Sequence, residues 1–143
     1  MPDTPEQSRT ETLLGFDYGP RKIGVAVGQR VSGTASPLTT LRAVRDKPDW
    51  ARIGTLIETW QPQRLIVGLP LNMDGTDTPL TARARRFARQ LEGRHRRVVE
   101  MVDERLSSRA ARERLGARIG AVEQIDAVAA QLILETWLSE HRD

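Results

Sequence analysis

The chain alternates short apolar runs with amphipathic stretches, and this pattern predicts an α/β domain. Residues 13–17 and 23–28 are apolar, or alternate apolar with small side chains, and the Tyr-Gly-Pro-Arg-Lys turn between them predicts a β-hairpin. A weaker extended segment follows at 34–41. The beginning of the chain therefore predicts an antiparallel meander of three strands.

The rest of the chain alternates between helical and strand patterns. Apolar residues at helical spacing predict a helix over 49–60, and the apolar run 64–69 is typical of a central parallel strand covered on both faces. Later segments predict a helix opened by Pro79, a strand at 97–102, a helix from about Ser107 and a last helix over 123–141. Five strands and about four helices in this order predict a mixed sheet with helices on both faces. Ribonuclease H-like folds have this layout, and so do other α/β folds.

Length and composition favour one domain without disulfide chemistry. A chain of 143 residues suits a single core, which we expect over residues 12–143 after a disordered tail at 1–11. The absence of cysteine excludes disulfides, cysteine zinc sites and thiol nucleophiles. No apolar stretch approaches the roughly 18 residues of a membrane span. We therefore expect a soluble, cytoplasmic protein without a membrane partner.

Positive charge is concentrated in one region of the chain. The net charge is only +3, yet between residues 83 and 118 twelve arginines stand against five acids. Basic side chains that neutralise phosphates release counterions, so this region favours a nucleic-acid partner. A solvated helix surface, or an arginine-rich genome, would produce the same composition.

Acidic residues stand where strands end or helices begin. Asp17 closes the strand LLGFD, the pair Asp103 and Glu104 follows VVEMV, and Asp126 lies among apolar residues near the start of the last helix. Each has an ordinary structural explanation. Asp17 would form an Asx turn, Asp103 and Glu104 would lie at a solvated edge, and Asp126 would be a buried acid with a partner. Together they offer the hard oxygen ligands that Mg²⁺ and Mn²⁺ prefer, and two such ions can activate water against a phosphodiester. Only the fold can bring residues so far apart in sequence together.

Most of the chain, from about residue 12 to residue 138, resembles the YqgF/RuvX family. The matching segments are GFDYGPRKIGVAV, IVGLPLNMDGT, VDERLSS and IDAVAAQLIL, in this order. The family is similar to the Holliday-junction resolvase RuvC, with a ribonuclease H-like fold. Its members are described as nucleases for the 5′ end of pre-16S rRNA or as junction resolvases in DNA recombination and repair. The resemblance implies that Asp17, Glu104 and Asp126 are the catalytic metal ligands, with Asp103 as the second choice.

Several polar residues are candidates for contacts to substrate phosphates. The loop 68–76 lies between a parallel strand and a helix, where open α/β sheets bind ligands, although an ordinary βα connection explains its glycines equally well. The segment before Ile125 is less basic than is common in the family. We therefore expect more of the contacts to the substrate to come from the helix after Pro79. The predicted nucleic-acid contacts are Arg21, Lys22, Asn72, Arg83, Arg85, Arg86, Arg89 and Arg105.

These features predict a metal-dependent endonuclease with a two-metal Mg²⁺ or Mn²⁺ site that acts on precursor rRNA or branched DNA. Symmetric resolution of a four-way junction would require two active sites, and hence a homodimer. One rival is a ribosome-assembly factor that binds nucleic acid without cutting it. The Asp-x-Gly and Ile-Gly-Val-Ala pattern also resembles a phosphate motif of sugar kinases and actin-like ATPases, but those proteins bind nucleotide between two such domains.

Overall fold

A five-stranded sheet forms the centre of the computed structural model, which describes residues 11–104 and 125–141. The strands are β1 (Thr12–Asp17), β2 (Lys22–Gln29), β3 (Thr34–Arg42), β4 (Arg64–Leu69) and β5 (Val98–Asp103). The helices of the described residues are α1 (Trp50–Trp60), α2 (Thr81–His95) and α3 (Ile125–Glu140). The helix predicted from about Ser107 and the predicted contact Arg105 lie outside the described residues, as do residues 1–10 of the predicted tail.

The strand order in the sheet is β3-β2-β1-β4-β5. The pairs β1–β2 and β2–β3 are antiparallel, whereas β1–β4 and β4–β5 are parallel. This order confirms the predicted meander followed by parallel strands. Strands β1, β3, β4 and β5 all finish at one end of the sheet, here named the carboxyl end, and β2 begins there.

Alternating residues of the strands build a core on each face of the sheet. On the first face, residues such as Phe16 and Val67 pack with Ile53 of α1 and Phe87 of α2. On the second face, named the α3 face, Leu13, Ile66 and Val102 pack against α3 through Ile133, Leu134 and Trp137. Helices on both faces are thus confirmed. None of the described helices is both long and apolar enough to cross a membrane.

The start of α2 differs from the prediction by two residues. The helix begins at Thr81 rather than at Pro79, because Thr78 and Thr81 form a turn in which the Thr78 N–H donates to Thr81 Oγ1 at 2.7 Å. The fully buried Thr81 hydroxyl also donates to the carbonyl oxygen of Pro70. This contact ties the beginning of α2 to the end of β4, at the carboxyl end of the sheet.

Candidate active site

Asp17 and Asp126 come near each other because a glycine of the neighbouring strand leaves room for α3. Asp17, the last residue of β1, lies directly opposite Gly24 of β2 in the antiparallel ladder, so both residues share one face of the sheet. A Cβ atom on Gly24 would overlap the carbonyl oxygen of Asp126. Gly24 therefore lets α3 lie directly on β2, and this close packing brings the beginning of its described part to Asp17.

Glu104 reaches the same face from the end of β5. Its N–H donates to the carbonyl oxygen of Leu69 at 3.1 Å, which continues the β4–β5 pairing by one residue. A Cβ atom on Gly68 would lie 2.7 Å from Glu104 Oε2, so the missing side chain leaves the space that Glu104 occupies. Glu104 is only 9% exposed, whereas the adjacent Asp103 is exposed. Strand alternation thus places Glu104, and not Asp103, on the α3 face.

The acidic groups interact strongly at this position. A side-chain hydrogen bond joins Asp17 and Glu104, and one of the two carboxyl groups must carry a proton to donate it. Burial raises the pKa of Asp17 to about 6; the charge of Asp126 adds to the rise, and the hydrogen bond with Glu104 opposes it. The fold therefore holds two carboxyl groups in contact, with a third negative charge close enough to act on them.

Carboxylate oxygens are the ligands that hard divalent cations prefer. Two touching carboxyl groups share a proton when no cation separates them, and Mg²⁺ or Mn²⁺ would replace that proton. Gly24 lets the backbone of Asp126 approach β2, and Gly68 leaves space for the carboxylate of Glu104. In residues 11–104 and 125–141, no three His, Asp or Glu side chains are close enough together to hold a metal ion. The predicted set of three metal ligands stays a prediction.

The sequence of this chain matches a known protein family over most of its length. The sequence model of the family described as "RuvX: Holliday junction resolvase" matches residues 11–140. The chain belongs to the RuvX family. A relative from Nitrosococcus oceani, named "Putative pre-16S rRNA nuclease", is 53% identical over 143 residues, which cover 98% of this chain and 94% of the relative.

Solved structures share the architecture of this RuvX chain at low sequence identity. Thermus thermophilus RuvC in complex with Holliday junction substrate has a TM-score of 0.52 at 15% identity, with 91% of this chain and 94% of that chain covered. The yeast mitochondrial Holliday junction resolvase Ydc2 has a TM-score of 0.53 at 12% identity, with 93% and 82% covered. At these identities the likeness concerns the fold alone, and it confirms the expected ribonuclease H-like fold.

The predicted arginines of α2 lie across the sheet from the carboxylates, because α2 packs on the face opposite α3. Arg83 forms an ion pair with Asp46 at 3.6 Å, and Arg85 forms one with Asp77 at 3.2 Å. Arg86 and Arg89 are exposed. A substrate strand that contacts these arginines and the α3 face must therefore pass around the carboxyl end of the sheet.

The predicted phosphate contact Asn72 instead braces its own loop. Its Nδ2 donates to Thr76 Oγ1 at 3.0 Å and to the carbonyl oxygen of Asp77 at 3.1 Å. Asp74 accepts from the N–H and the hydroxyl of the same threonine at 3.0 and 2.6 Å. Both amide hydrogens of Asn72 are thus occupied, and a phosphate contact by this side chain would have to break one of these bonds.

The predicted contacts Arg21 and Lys22 are exposed at the turn between β1 and β2. Lys22 precedes Gly24 by two residues, so it lies on the same face as Asp17. Its partner across the β2–β3 ladder is Arg42, which the sequence analysis missed because the strand signal there was weak. The roles of Gly24 and Gly68 were also missed, although a glycine inside a strand is a known sign of close backbone approach.

Proposed function

We propose that this RuvX-family protein is a metal-dependent endonuclease that hydrolyses phosphodiester bonds in structured nucleic acid. The observation that carries the proposal is the contact between Asp17 and Glu104, which are 87 residues apart in sequence, with Asp126 acting on the same site. Membership of a nuclease family supports the same conclusion. Once they lose their shared proton, carboxyl groups in contact need a cationic partner, which an apolar or anionic ligand would not provide.

Asp17, Glu104 and Asp126 would hold Mg²⁺ or Mn²⁺. When bound, such ions activate water and stabilise the leaving oxygen of the phosphodiester. Asp17 and Glu104 must give up their shared proton before they can serve as ligands, and with a pKa of about 6 for Asp17 this happens at neutral pH. The role of α3 is to keep Asp126 against the sheet and to cover the apolar part of the same face.

The substrate we propose first is the 5′ leader of pre-16S rRNA, because the 53% identical relative carries that activity in its name. A four-way DNA junction is the second candidate, since the family description names it. Symmetric cutting of a junction would additionally require a two-fold homodimer, so the oligomeric state under cutting conditions distinguishes the two substrates.

Cleavage of both labelled substrates, with Mg²⁺, with Mn²⁺ and with EDTA, tests the proposal. Asp17→Ala and Glu104→Ala should each cut at least about a hundredfold more slowly, because even partners outside the ligand shell are worth about 10–100-fold. Glu58→Ala, which removes an exposed acid from α1, is the matched control and should cut like the parent.

Binding measured on the same samples separates the alternatives. Retained binding together with lost cutting in Asp17→Ala would support a catalytic role. If the parent binds both substrates and cuts neither with any metal, the protein is a non-catalytic assembly factor. If Asp103→Ala loses cutting while Glu104→Ala retains it, the ligand assignment at the end of β5 is wrong.

A further inference from the structure

Two basic residues face each other across the β2–β3 ladder beside the carboxylates. Lys22 lies directly opposite Arg42, and both side chains are exposed. Like charges placed opposite each other on neighbouring strands destabilise a sheet. An anion bound between or above the two side chains would relieve this repulsion.

The chain continues from Arg42 into a tight turn that carries more positive charge. Val44 and Lys47 exchange two backbone hydrogen bonds, of 3.1 and 2.9 Å, so that Arg45 and Asp46 form a two-residue turn. Their φ angles of 53° and 63° lie in the left-handed region that favours glycine and asparagine. Arg45 and Lys47 are exposed, and Val44 is 68% exposed.

The acids near the turn do not neutralise it. Asp46 pairs with Arg83 at 3.6 Å, and Asp49 accepts from the N–H of Arg52 as the N-cap of α1. Within the part of the chain that the structure describes, Arg42, Arg45 and Lys47 form no ion pair. The turn therefore has an excess of positive charge.

This basic turn is continuous with the candidate active site. Lys22 precedes Gly24 by two residues, a distance of about 6.4–6.8 Å along a strand, and Gly24 lies opposite Asp17 and beneath Asp126. Arg42 extends the same face by one strand, and Arg45 and Lys47 follow within five residues. The turn that follows pairs with α2 through Asp46 and Arg83, so a chain of phosphates that leaves the carboxylates around the carboxyl end of the sheet would meet these groups next.

We propose that Arg42, Arg45 and Lys47 bind the phosphate backbone of the substrate on the β3 side of the active site. The inference rests on the proposed function, because it takes the ligand to be the same nucleic acid that the carboxylates act on. Contacts from arginine and lysine to phosphates carry no sequence information, so this contact is independent of the base sequence. It positions the strand and sets the affinity.

Binding in EDTA, where no cutting occurs, tests the proposal. The probes are the labelled 5′-leader RNA and the labelled four-way DNA junction, titrated with the full chain at several salt concentrations. The variant Arg42→Gln/Arg45→Asn/Lys47→Gln should raise Kd at least about tenfold and flatten the slope of log Kd against log salt by about two, since each lost phosphate contact contributes about 0.7–0.9.

Arg45→Asn and Arg96→Asn form a matched pair of single variants. Both arginines are exposed, both have φ of 53°, and asparagine tolerates that conformation. Arg96, however, follows α2 at the opposite end of the strands. Arg45→Asn should weaken binding by about threefold, a part of the triple effect, and Arg96→Asn should leave Kd unchanged. Equal effects of the two variants, or parental binding of both probes by the triple variant, would overturn the proposal.

Cleavage rates distinguish this inference from the proposed function. The triple variant should lose the most cutting rate at low protein concentration, and raising the protein concentration should recover much of that loss. A parent that binds through the turn but never cuts would contradict the nuclease proposal alone. A parent that cuts, with unchanged Kd and salt slope in the triple variant, would contradict the phosphate-binding turn alone.

Discussion

Asp17 is held where its own charge is unfavourable. Burial raises its pKa from the ordinary value of 3.8 to about 6, and the negative charge of Asp126 adds to the rise despite the hydrogen bond with Glu104. Groups with pKa values perturbed in this way are common at functional sites, because chemistry needs them in place even when they destabilise the fold. The free energy of unfolding should therefore depend on the charge of Asp17.

Asp17→Asn should stabilise the protein at alkaline pH. Between pH 3.8 and about 6 the folded state holds a proton that the unfolded chain has released, so the free energy of unfolding of the parent falls as pH rises through this window. Asparagine cannot ionise, so the variant should gain about 1–2 kcal/mol at pH 8 and nothing near pH 3.5, after allowance for solvent screening. Urea unfolding in EDTA across this range measures the difference, and parallel pH profiles would contradict it.

At the scale of elements, the site depends on how closely α3 approaches the sheet. Glycines at 15, 24, 28 and 68 all face this helix, and a Cβ atom on Gly15 would lie 2.5 Å from Leu134 Cγ. A helix laid on a glycine-lined face comes nearer to the strands than one laid on larger side chains. The distance between Asp126 and the other carboxylates is therefore set by residues that carry no chemistry.

Gly68→Ala should damage both stability and activity. The new Cβ atom would lie 2.7 Å from Glu104 Oε2 and 2.5 Å from Ile133 Cδ1, so Glu104 or α3 must move. We expect a loss of about 1–3 kcal/mol in the free energy of unfolding, together with slower cutting. Gly93→Ala is the matched control. Apart from the backbone of its own helix and the two adjacent residues, no atom lies within 4 Å of its Cβ position in α2, so it should gain about 0.5–1 kcal/mol and cut normally. Similar unfolding curves for the two variants would show that α3 does not pack as described.

The other end of α3 is fastened by a charged network. Glu11, which the predicted tail included, is buried and pairs with Arg30 and Arg64 at 2.9 and 2.8 Å. Arg64 also pairs with Glu100, which accepts from Trp137 Nε1 at 3.2 Å, and both arginines lie over the Trp137 ring. This network joins β1, β2, β4 and β5 to α3 at the amino ends of the parallel strands. It fixes the far end of the helix that carries Asp126.

Glu100→Gln should weaken this attachment at neutral pH. Burial alone would raise the pKa of Glu100, but the hydrogen bonds from Trp137 and Arg64 and the charges of Arg64 and His141 outweigh it and lower the pKa. The stabilisation is present above the ordinary value of 4.5 and is lost as pH falls through the lowered pKa. We expect a loss of about 1 kcal/mol at pH 7 that shrinks at pH 3, by urea unfolding. The exposed acid in Glu92→Gln serves as control, and a pH-independent loss would argue against the ionic mechanism.

At the scale of the whole molecule, the two ends of the sheet differ in charge balance. At the amino end the half-buried Arg30 and Arg64 pair with Glu11 and Glu100, whereas the carboxyl end places the carboxyl groups of Asp17 and Glu104 on the same face as the exposed bases Lys22 and Arg42. A divalent cation together with a phosphate backbone would satisfy both sets at once. Binding of such ligands should therefore stabilise the folded state.

Mn²⁺ or Mg²⁺ should raise the stability of the parent in the absence of nucleic acid. A ligand that binds only the folded state at ten times its Kd adds about 1.4 kcal/mol. Thermal unfolding at pH 8 should show this increase for the parent and for Glu58→Gln, and much less of it for Asp17→Asn. An equal increase in all three proteins would place the cation elsewhere. This measurement needs no enzymatic activity, so it separates metal binding from cutting.

The sequence by itself determined the order and type of the elements, because the spacing of apolar residues is visible within each segment without knowing what that segment packs against. The meander, the parallel strands, the helices on both faces and the family were all readable from apolar spacing and four short segments. The positions of Asp17 and Asp126 at element ends were readable for the same reason. The start of α2 was missed by two residues, since the side-chain bonds of Thr78 and Thr81 decide it.

Only the tertiary structure decided which side chains meet. The pairing of β5 with β4 decided that Glu104, and not Asp103, lies on the α3 face. The β2–β3 register decided that Arg42 lies opposite Lys22. The arginines of α2 were assigned to the opposite face by the packing of that helix. Each of these outcomes depends on contacts between residues distant in sequence, where a shift of one residue moves a side chain to the other face of the sheet.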